Sequence, residues 1–490
     1  MKIERQILVL AVLLGSAHHM LGQAGTAEPS TDSTPQTTAA PAPAFGQEPV
    51  APPVSQAPPL TGLDEAALEP SLSARSFLAP SFRVAQFGST NATNSLNGNR
   101  SWTGVTHLQG GLDLQRLWSR YRTSLSYVGG ASIYDNYIVN PTQIHALNFD
   151  QSFLWRRGSL HLRDSARYLP DGSFGFAGTA GGFGGGGLGG GGLGGGGGFG
   201  GGFGHGGGGS SGLDGTTFGG VGNEARLTNS ALIDIQESLT PRSAITLAGG
   251  YGLLHFTSGA AGLIDSRQVS GQIGYNYTIS RRSTIAVMYG YRNFQFPHEG
   301  RGRFETHLLH AMYGYQLSGR MSLSLSAGPQ VTDFSNPTGV TGSGHRISAS
   351  GRASLHYRFS RASMSLDYDH FTTGGSGFFS GATTDAARLN ASRQMGRMWS
   401  LSADLGYSHN RRLQRASAGA DASSYNSGYA GARATRILGR TVDGYLFYRF
   451  NELAFSNSVC VTGSTNCGRL TNRMIIGIGL DWHPHAIRLD

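Results

Sequence analysis

MSLSLSAGPQV, residues 321–331, alternates between two chemistries with a period of two. Met321, Leu323, Leu325, Ala327 and Val331 fall on one side of an extended chain, and Ser322, Ser324, Ser326, Gly328 and Gln330 on the other. Successive side chains of a strand point to opposite faces, so the stretch is a strand with one apolar and one small polar face. RISASGRASLHYRF (346–359) repeats it: Ile347, Ala349, Ala353, Leu355, Tyr357 and Phe359 stand against Arg346, Ser348, Ser350, Arg352, Ser354, His356 and Arg358. In RQVSGQIGYNYTI (267–279), Val269, Ile273, Tyr275, Tyr277 and Ile279 oppose Gln268, Ser270, Gln272, Asn276 and Thr278; ARLTNSALIDIQESL (225–239) alternates likewise. These runs, often 10 to 14 residues long, exceed the five or six residues usual for strands of soluble proteins.

The connections alternate too. Short, mostly arginine-bearing turns fall at WSRY (118–121), RRGS (156–159), TPRS (240–243), SRRS (280–283), SGRM (318–321), SRAS (360–363), MGRM (395–398) and LGRT (438–441), separated by longer connections rich in Gly, Ser and Asn. Eight such turns require 16 strands. A first strand around Ser76 to Phe87 and a last one at TNRMIIGIGLDW (471–482) raise the count to 18, with both ends on the side of the short turns.

This pattern resembles the bacterial outer-membrane β-barrel family over residues 76–482. The resemblance is architectural and carries no activity with it. It implies an all-β fold: an antiparallel up-and-down transmembrane β-barrel of about 18 strands, or 16 as the alternative, with short periplasmic turns and long extracellular loops. Outer-membrane lipid and the barrel-assembly machinery are then the expected partners. The physical case is independent of the family, because within a bilayer only a closed sheet satisfies every backbone N–H and C=O without leaving an edge. Trp118, Trp155, Tyr277, Tyr315, Phe359 and Trp399 lie beside six of the eight turns, where an interfacial aromatic girdle belongs. The tail departs from the family's habit of ending on a terminal aromatic: Trp482 is followed by HPHAIRLD.

The N-terminal segment fits export. Lys2 and Arg5 precede the apolar run Ile7 to Leu14, with small residues Gly22 and Ala24 following, which reads as a signal peptide over 1–24. No cysteine lies at that cleavage site, which argues against a lipid anchor. Residues 25–75 are rich in Pro, Ala, Ser and Thr and read as a disordered periplasmic linker; 76–490 form the barrel. Cys460 and Cys467, the two cysteines of the chain, are expected to form a disulfide in an oxidising compartment. The formal charge of +9 rests on dispersed arginines, Lys2 being the lone lysine. Dispersal and export together speak against nucleic acid as a partner.

Placing the polar faces inward puts Arg122, Arg163, Arg167, Arg226, Arg292, Arg346, Arg352, Arg358, Arg388, Arg433, Arg449 and Arg473 in the lumen. Asp113, Asp150, Glu224, Asp234, Asp367, Asp369, Asp404, Asp443 and Asp481 face them. Barrels of this size generally enclose an aqueous channel. The expected function is therefore passive diffusion of small polar solutes, with a mild anion preference from Arg346, Arg352 and Arg358. An adhesin or structural barrel is the alternative. No cofactor or metal motif is present, and neither His255, His298, His370 nor His409 has a spacing that assembles it with a nucleophile. Residues 181–209 hold 23 glycines. Their place between the strand after RRGS and the strand near Asn223 makes 171–222 an extracellular loop, able to display Phe and Leu side chains or to cover the pore.

Overall fold

The computed structural model describes residues 76–489 except 94, 97–100, 136–139, 170–224, 258–262, 298–301, 336–343, 376, 414–421 and 461–466. The expected signal peptide, the linker, the glycine-rich loop 171–222, Glu224 and His298 lie outside the described residues. Eighteen long strands form the wall. They are β1 (Phe77–Thr90), β2 (Trp102–Leu117), β3 (Tyr121–Tyr134), β4 (Thr142–Trp155), β5 (Gly158–Leu169), β6 (Arg226–Thr240), β7 (Ser243–Phe256), β8 (Ser266–Ser280) and β9 (Ser283–Gln295). The ring continues with β10 (Arg303–Ser318), β11 (Met321–Ser335), β12 (His345–Arg358), β13 (Ala362–Thr373), β14 (Ala382–Met395), β15 (Trp399–Arg412), β16 (Ser424–Ile437), β17 (Val442–Cys460) and β18 (Cys467–Trp482).

Each strand pairs antiparallel with its neighbours in sequence, and β1 closes the ring on β18 from Phe82↔Trp482 to Ser89↔Ile475. All eight short turns fall where the arginine-bearing motifs place them. The residues beyond Trp482 turn back onto the first strand: a two-residue β19 (Ile487–Arg488) pairs with Phe77 and Leu78, and His483 N–H donates to the Thr441 carbonyl at 2.8 Å. Cys460 and Cys467 are disulfide-bonded opposite one another at the far end of the β17–β18 hairpin.

The alternation sorts the two faces. In β8, Val269, Ile273, Tyr275, Tyr277 and Ile279 are exposed, while Gln268, Ser270, Gln272 and Asn276 are buried in the interior. Trp118, Trp155, Tyr277, Phe359, Trp399 and Trp482 form an exposed aromatic ring at the short-turn end. At the opposite end a second ring is built from hydrogen-bonded groups on the outer face. Tyr127 Oη lies 3.0 Å from His145 Nδ1, and Tyr289 Oη 2.8 Å from His307 Nδ1. Tyr368 donates to Asp385 (3.1 Å), which also pairs with His370; Tyr407 donates to Asn426 (3.2 Å), which also pairs with His409. An apolar band with aromatics at both edges, hydrogen-bonded at the far one, is the surface a bilayer requires.

Two local irregularities matter. Pro329 lies inside β11, and the β10–β11 ladder omits Leu309 and His310 opposite Gly328 and Pro329, as expected where a donor is missing. On β5 the outward series Leu160, Leu162, Asp164, Ala166, Tyr168 contains a carboxylate, which accepts a hydrogen bond from Asn229 Nδ2 of β6 at 2.7 Å. A charge in the lipid-facing band is destabilising. Asp164→Leu is therefore expected to raise the unfolding free energy of the vesicle-inserted barrel by about 1–2 kcal/mol, below the cost of a basic residue at the midplane, seen as a higher denaturant midpoint. A lowered midpoint would show that the carboxylate contributes favourably.

Candidate functional site: the lumen and its mouth

The inward faces carry a belt of alternating charge. Cross-strand neighbours on one face approach within side-chain reach, and the register puts opposite signs together. Asp150 of β4 stands opposite Arg163 of β5, with Asp234 of β6 acting on the same guanidinium. Arg352 of β12 reaches Asp367 at 3.6 Å and Asp369 at 3.4 Å, and Ser354 Oγ donates to Asp367 at 2.7 Å. Asp369 also acts on Arg292 of β9, and Arg388 of β14 lies in register with Asp367. Asp404 of β15 leans across Gly431 of β16 toward Arg449 of β17. A Cβ at Gly431 would lie 2.5 Å from Asp404 Oδ1, so the missing side chain is what lets the pair approach.

At the seam between last and first strands, Arg83 of β1 forms a buried ion pair with Asp481 of β18, and Arg433 stacks 4.0 Å from the Tyr445 ring centroid. Arg473 donates to Ser89 Oγ at 2.8 Å, and Asp113 takes a hydrogen bond from Ser126. Arg122, Arg167 and Arg226 also follow the inward parity, with Arg226 buried near the far end of β6 and Arg122 opposite Ser152 near the short turns. Most of the expected pore-lining residues are thus gathered into networks. Arg346 and Arg358 are different: both are exposed, at opposite ends of β12.

Above the charges lies a layer of buried hydroxyl and amide groups. Thr384 donates to Asn410 at 2.7 Å, Asn410 Nδ2 to Ser408 at 2.9 Å, and Ser408 lies 2.9 Å from Ser427. Above that, GGSGFFSG (374–381), the tip of the β13–β14 hairpin, turns into the barrel. Phe378 packs against Tyr425 (5.4 Å between centroids) and Phe455 (5.3 Å), and Phe379 against Tyr425 (5.3 Å). The same cluster includes Leu254 and Phe256 of β7, half a ring away from β16 and β17. Ile264 N–H donates to the Gly377 carbonyl at 2.8 Å and Leu413 N–H to the Gly381 carbonyl at 3.1 Å. Beside it Phe294 stacks on Phe304 at 4.4 Å, with Phe296 and Phe334 adjoining. Arg412 sits 4.8 Å from the Phe379 ring centroid. The hairpin tip therefore bridges the mouth from one wall to the other.

Sequence reading missed three parts of this site. Arg83 was legible from the parity set by its outward neighbours Phe82 and Val84. Arg412 was legible from the alternation of WSLSADLGYSHNRR, in which every second residue from Ser400 faces inward. The mouth hairpin had one signal, two adjacent phenylalanines between glycines in a connection otherwise expected to be polar.

The polar interior, apolar exterior and paired aromatic rings settle the class. This is the architecture of a bacterial outer-membrane β-barrel. Among solved structures the chain is similar to the Pseudomonas aeruginosa protein OpdO, at 10% identity, covering 84% of this chain and 98% of that one with a TM-score of 0.39. It is similar to a BenF-like porin from Pseudomonas fluorescens, at 9% identity, 84% and 99% coverage and a TM-score of 0.38. It is also similar to the ferric-catecholate import receptor Fiu of E. coli, at 9% identity, 83% and 81% coverage and a TM-score of 0.38. No protein-family sequence profile and no curated protein sequence matches the chain.

Two outcomes are expected from this geometry. Arg83→Met strands a buried carboxylate and should lower the unfolding free energy, measured by denaturant titration, by about 3–5 kcal/mol, whereas Arg83→Met with Asp481→Leu should recover most of the loss. Phe378→Ser with Phe379→Ser removes the apolar bridge and should enlarge single-channel current in planar bilayers; unchanged current would mean that the cluster obstructs nothing.

Proposed function

We propose that the chain is a passive diffusion channel for small polar solutes across the bacterial outer membrane, with a mild preference for anions. One observation carries this reading: a closed 18-strand ring whose inward face is polar and richer in arginine than in carboxylate. A ring of that size is too wide to be filled by wall side chains alone. Ions passing through meet a field set by charges that lack a strong counter-ion. Arg352, held between Asp367 and Asp369, contributes little to that field. Exposed Arg346 and Arg358, at the two ends of β12, contribute most.

We further propose that residues 1–24 direct export and are removed near Gly25, that 25–75 tether the barrel on the periplasmic side, and that 171–222 form an extracellular loop. Insertion by the barrel-assembly machinery belongs to the same reading.

Reconstitution of the refolded full chain in planar bilayers tests the function. Unitary current is expected, with a reversal potential on the anion-selective side under a salt gradient. Arg346→Glu with Arg358→Glu should move it toward cations, while Arg352→Gln should move it less. Absence of current from the wild-type protein and from the Phe378→Ser, Phe379→Ser variant together would remove the channel reading.

A further inference from the structure

Among the described residues two seams of the wall stop short: β1–β18, which ends at Ser89↔Ile475, and β12–β13. β12 and β13 pair from Arg358↔Ser363 up to Gly351↔His370, and there the ladder stops. On its other side β12 stays paired with β11 as far as Asp333↔His345. Residues 345–350 of β12 thus present an open edge among the described residues, and Ile347 is 77% exposed.

The strand that should cover this edge has gone inside. Phe371, Thr372 and Thr373 remain paired with Thr384, Thr383 and Ala382 of β14, so the hairpin is intact. Thr372, however, belongs by parity to the outer face of β13. It is nevertheless 2% exposed and its Oγ1 accepts a hydrogen bond from Gln330 Nε2, an inward group of β11. Strands two apart in a sheet lie roughly 9–10 Å from each other, with β12 between them. An outer-face threonine of β13 can meet an inner-face glutamine of β11 only if the upper part of β13 lies on the lumen side of β12. From there the tip runs on to Phe256 and Phe304.

An open edge is costly in this place. Every second backbone N–H and C=O of residues 345–350 is directed at the seam, and near the apolar band no water-rich medium is available to satisfy them. Continuing the existing register by three pairs would satisfy the half of this edge nearest the ladder: Ser350 opposite Phe371, Ala349 opposite Thr372, Ser348 opposite Thr373. Parity is preserved, since Ala349 and Thr372 would both face out and Ser350 and Phe371 both face in. The hairpin also has hinges. Gly375, Gly377 and Gly381 have φ of +88°, +86° and +97°, values that disfavour other residues. A Cβ at Gly377 would lie 2.6 Å from the Phe256 ring and one at Gly381 2.7 Å from the Phe304 ring, so glycine is also what lets the tip seat in the mouth.

We propose that the upper edge of β12 is a strand-docking site whose occupant is this chain's own Phe371–Thr373 segment. The β13–β14 hairpin has two seats, one across the mouth and one in the wall, and moving from the first to the second opens the lumen. The opening half of this proposal rests on the channel reading; the docking half does not. Two discrete packings of one element, exchanging an aromatic cluster for a completed ladder, make a bistable gate.

Two mutually exclusive disulfides sharing position 372 test it in the full-length barrel. Thr372→Cys with Gln330→Cys locks the mouth seat; Thr372→Cys with Ala349→Cys locks the wall seat. Cross-links are read by peptide mass spectrometry, folding by the heat-dependent gel migration of an intact barrel, and current in planar bilayers. Both cross-links are expected under mild oxidant. The wall lock should raise mean conductance several-fold and the mouth lock should lower it, each reversed by reductant that leaves the parent's current unchanged. Formation of the mouth cross-link without any wall cross-link, also when tried with Ser348→Cys and Thr373→Cys, overturns the proposal. A disulfide-linked dimer formed by Ala349→Cys alone also overturns it, by giving the edge to a second copy. A wall cross-link that forms without raising current supports docking and counts against the channel reading instead.

Discussion

The structure depends on the requirement that backbone hydrogen bonds be completed where no water can complete them. A sheet in hydrocarbon must have no edge, so the eighteenth strand has to meet the first, as Phe82↔Trp482 through Ser89↔Ile475 do. Closure then dictates the rest. Once each strand has two neighbours, its side chains have only two directions, outward to lipid or inward to the lumen. The period of two in the sequence is the imprint of that choice. The tail after Trp482 obeys the same requirement: Ile487 and Arg488 cover the start of β1 that β18 does not reach.

Closure also brings the inward charges within reach of one another. Twelve arginines and nine carboxylates were expected on the inner face, and the ladder turns many of them into neighbours on adjacent strands. Unpaired, such groups would be expensive where burial is deep. Their satisfaction explains Gly431, which makes room between Asp404 and Arg449, and the pairing of Arg83 with Asp481 across the closing seam. What remains for interaction with a passing ion is set by the residues left out of these networks, so a strand with three arginines need not be a ladder of three equivalent sites.

The strand count, the eight turns, the outward stripes and the disulfide were legible in the sequence because each follows from a local rule: alternation, turn chemistry, and two cysteines in one connection. Asp164 breaks the outward stripe, and its partner Asn229 is 65 residues away, a pairing that only the register supplies. Arg83 escaped notice because β1 was recognised mainly by completing an even count. The inward course of the mouth hairpin had no more than its paired phenylalanines to announce it, for a deeper reason. Alternation says which face of a strand a residue occupies, but it assumes that the strand stays in the wall. Thr372 has outward parity and an inward environment because that assumption fails at Gly351↔His370.

The location of this failure is informative. Pro329 already removes a donor from β11, and the β10–β11 ladder lapses at Leu309 and His310. Two strands further on, the β12–β13 ladder stops short. The sector from which the hairpin departs thus carries two lapses close together. Within that sector His310 Nε2 of β10 meets Ser350 Oγ of β12 at 2.6 Å. A strand pair bound on both sides along its whole length could not leave, because each lost backbone bond in an apolar layer would have to be replaced. The β13–β14 pair leaves only the upper end of one bordering ladder, β12–β13, and gains an apolar cluster through Phe378 and Phe379. The closed sheet and the inserted hairpin therefore follow from one constraint: where the ladder is complete the wall is fixed, and where it is incomplete the chain finds a second way to bury what the wall would have covered.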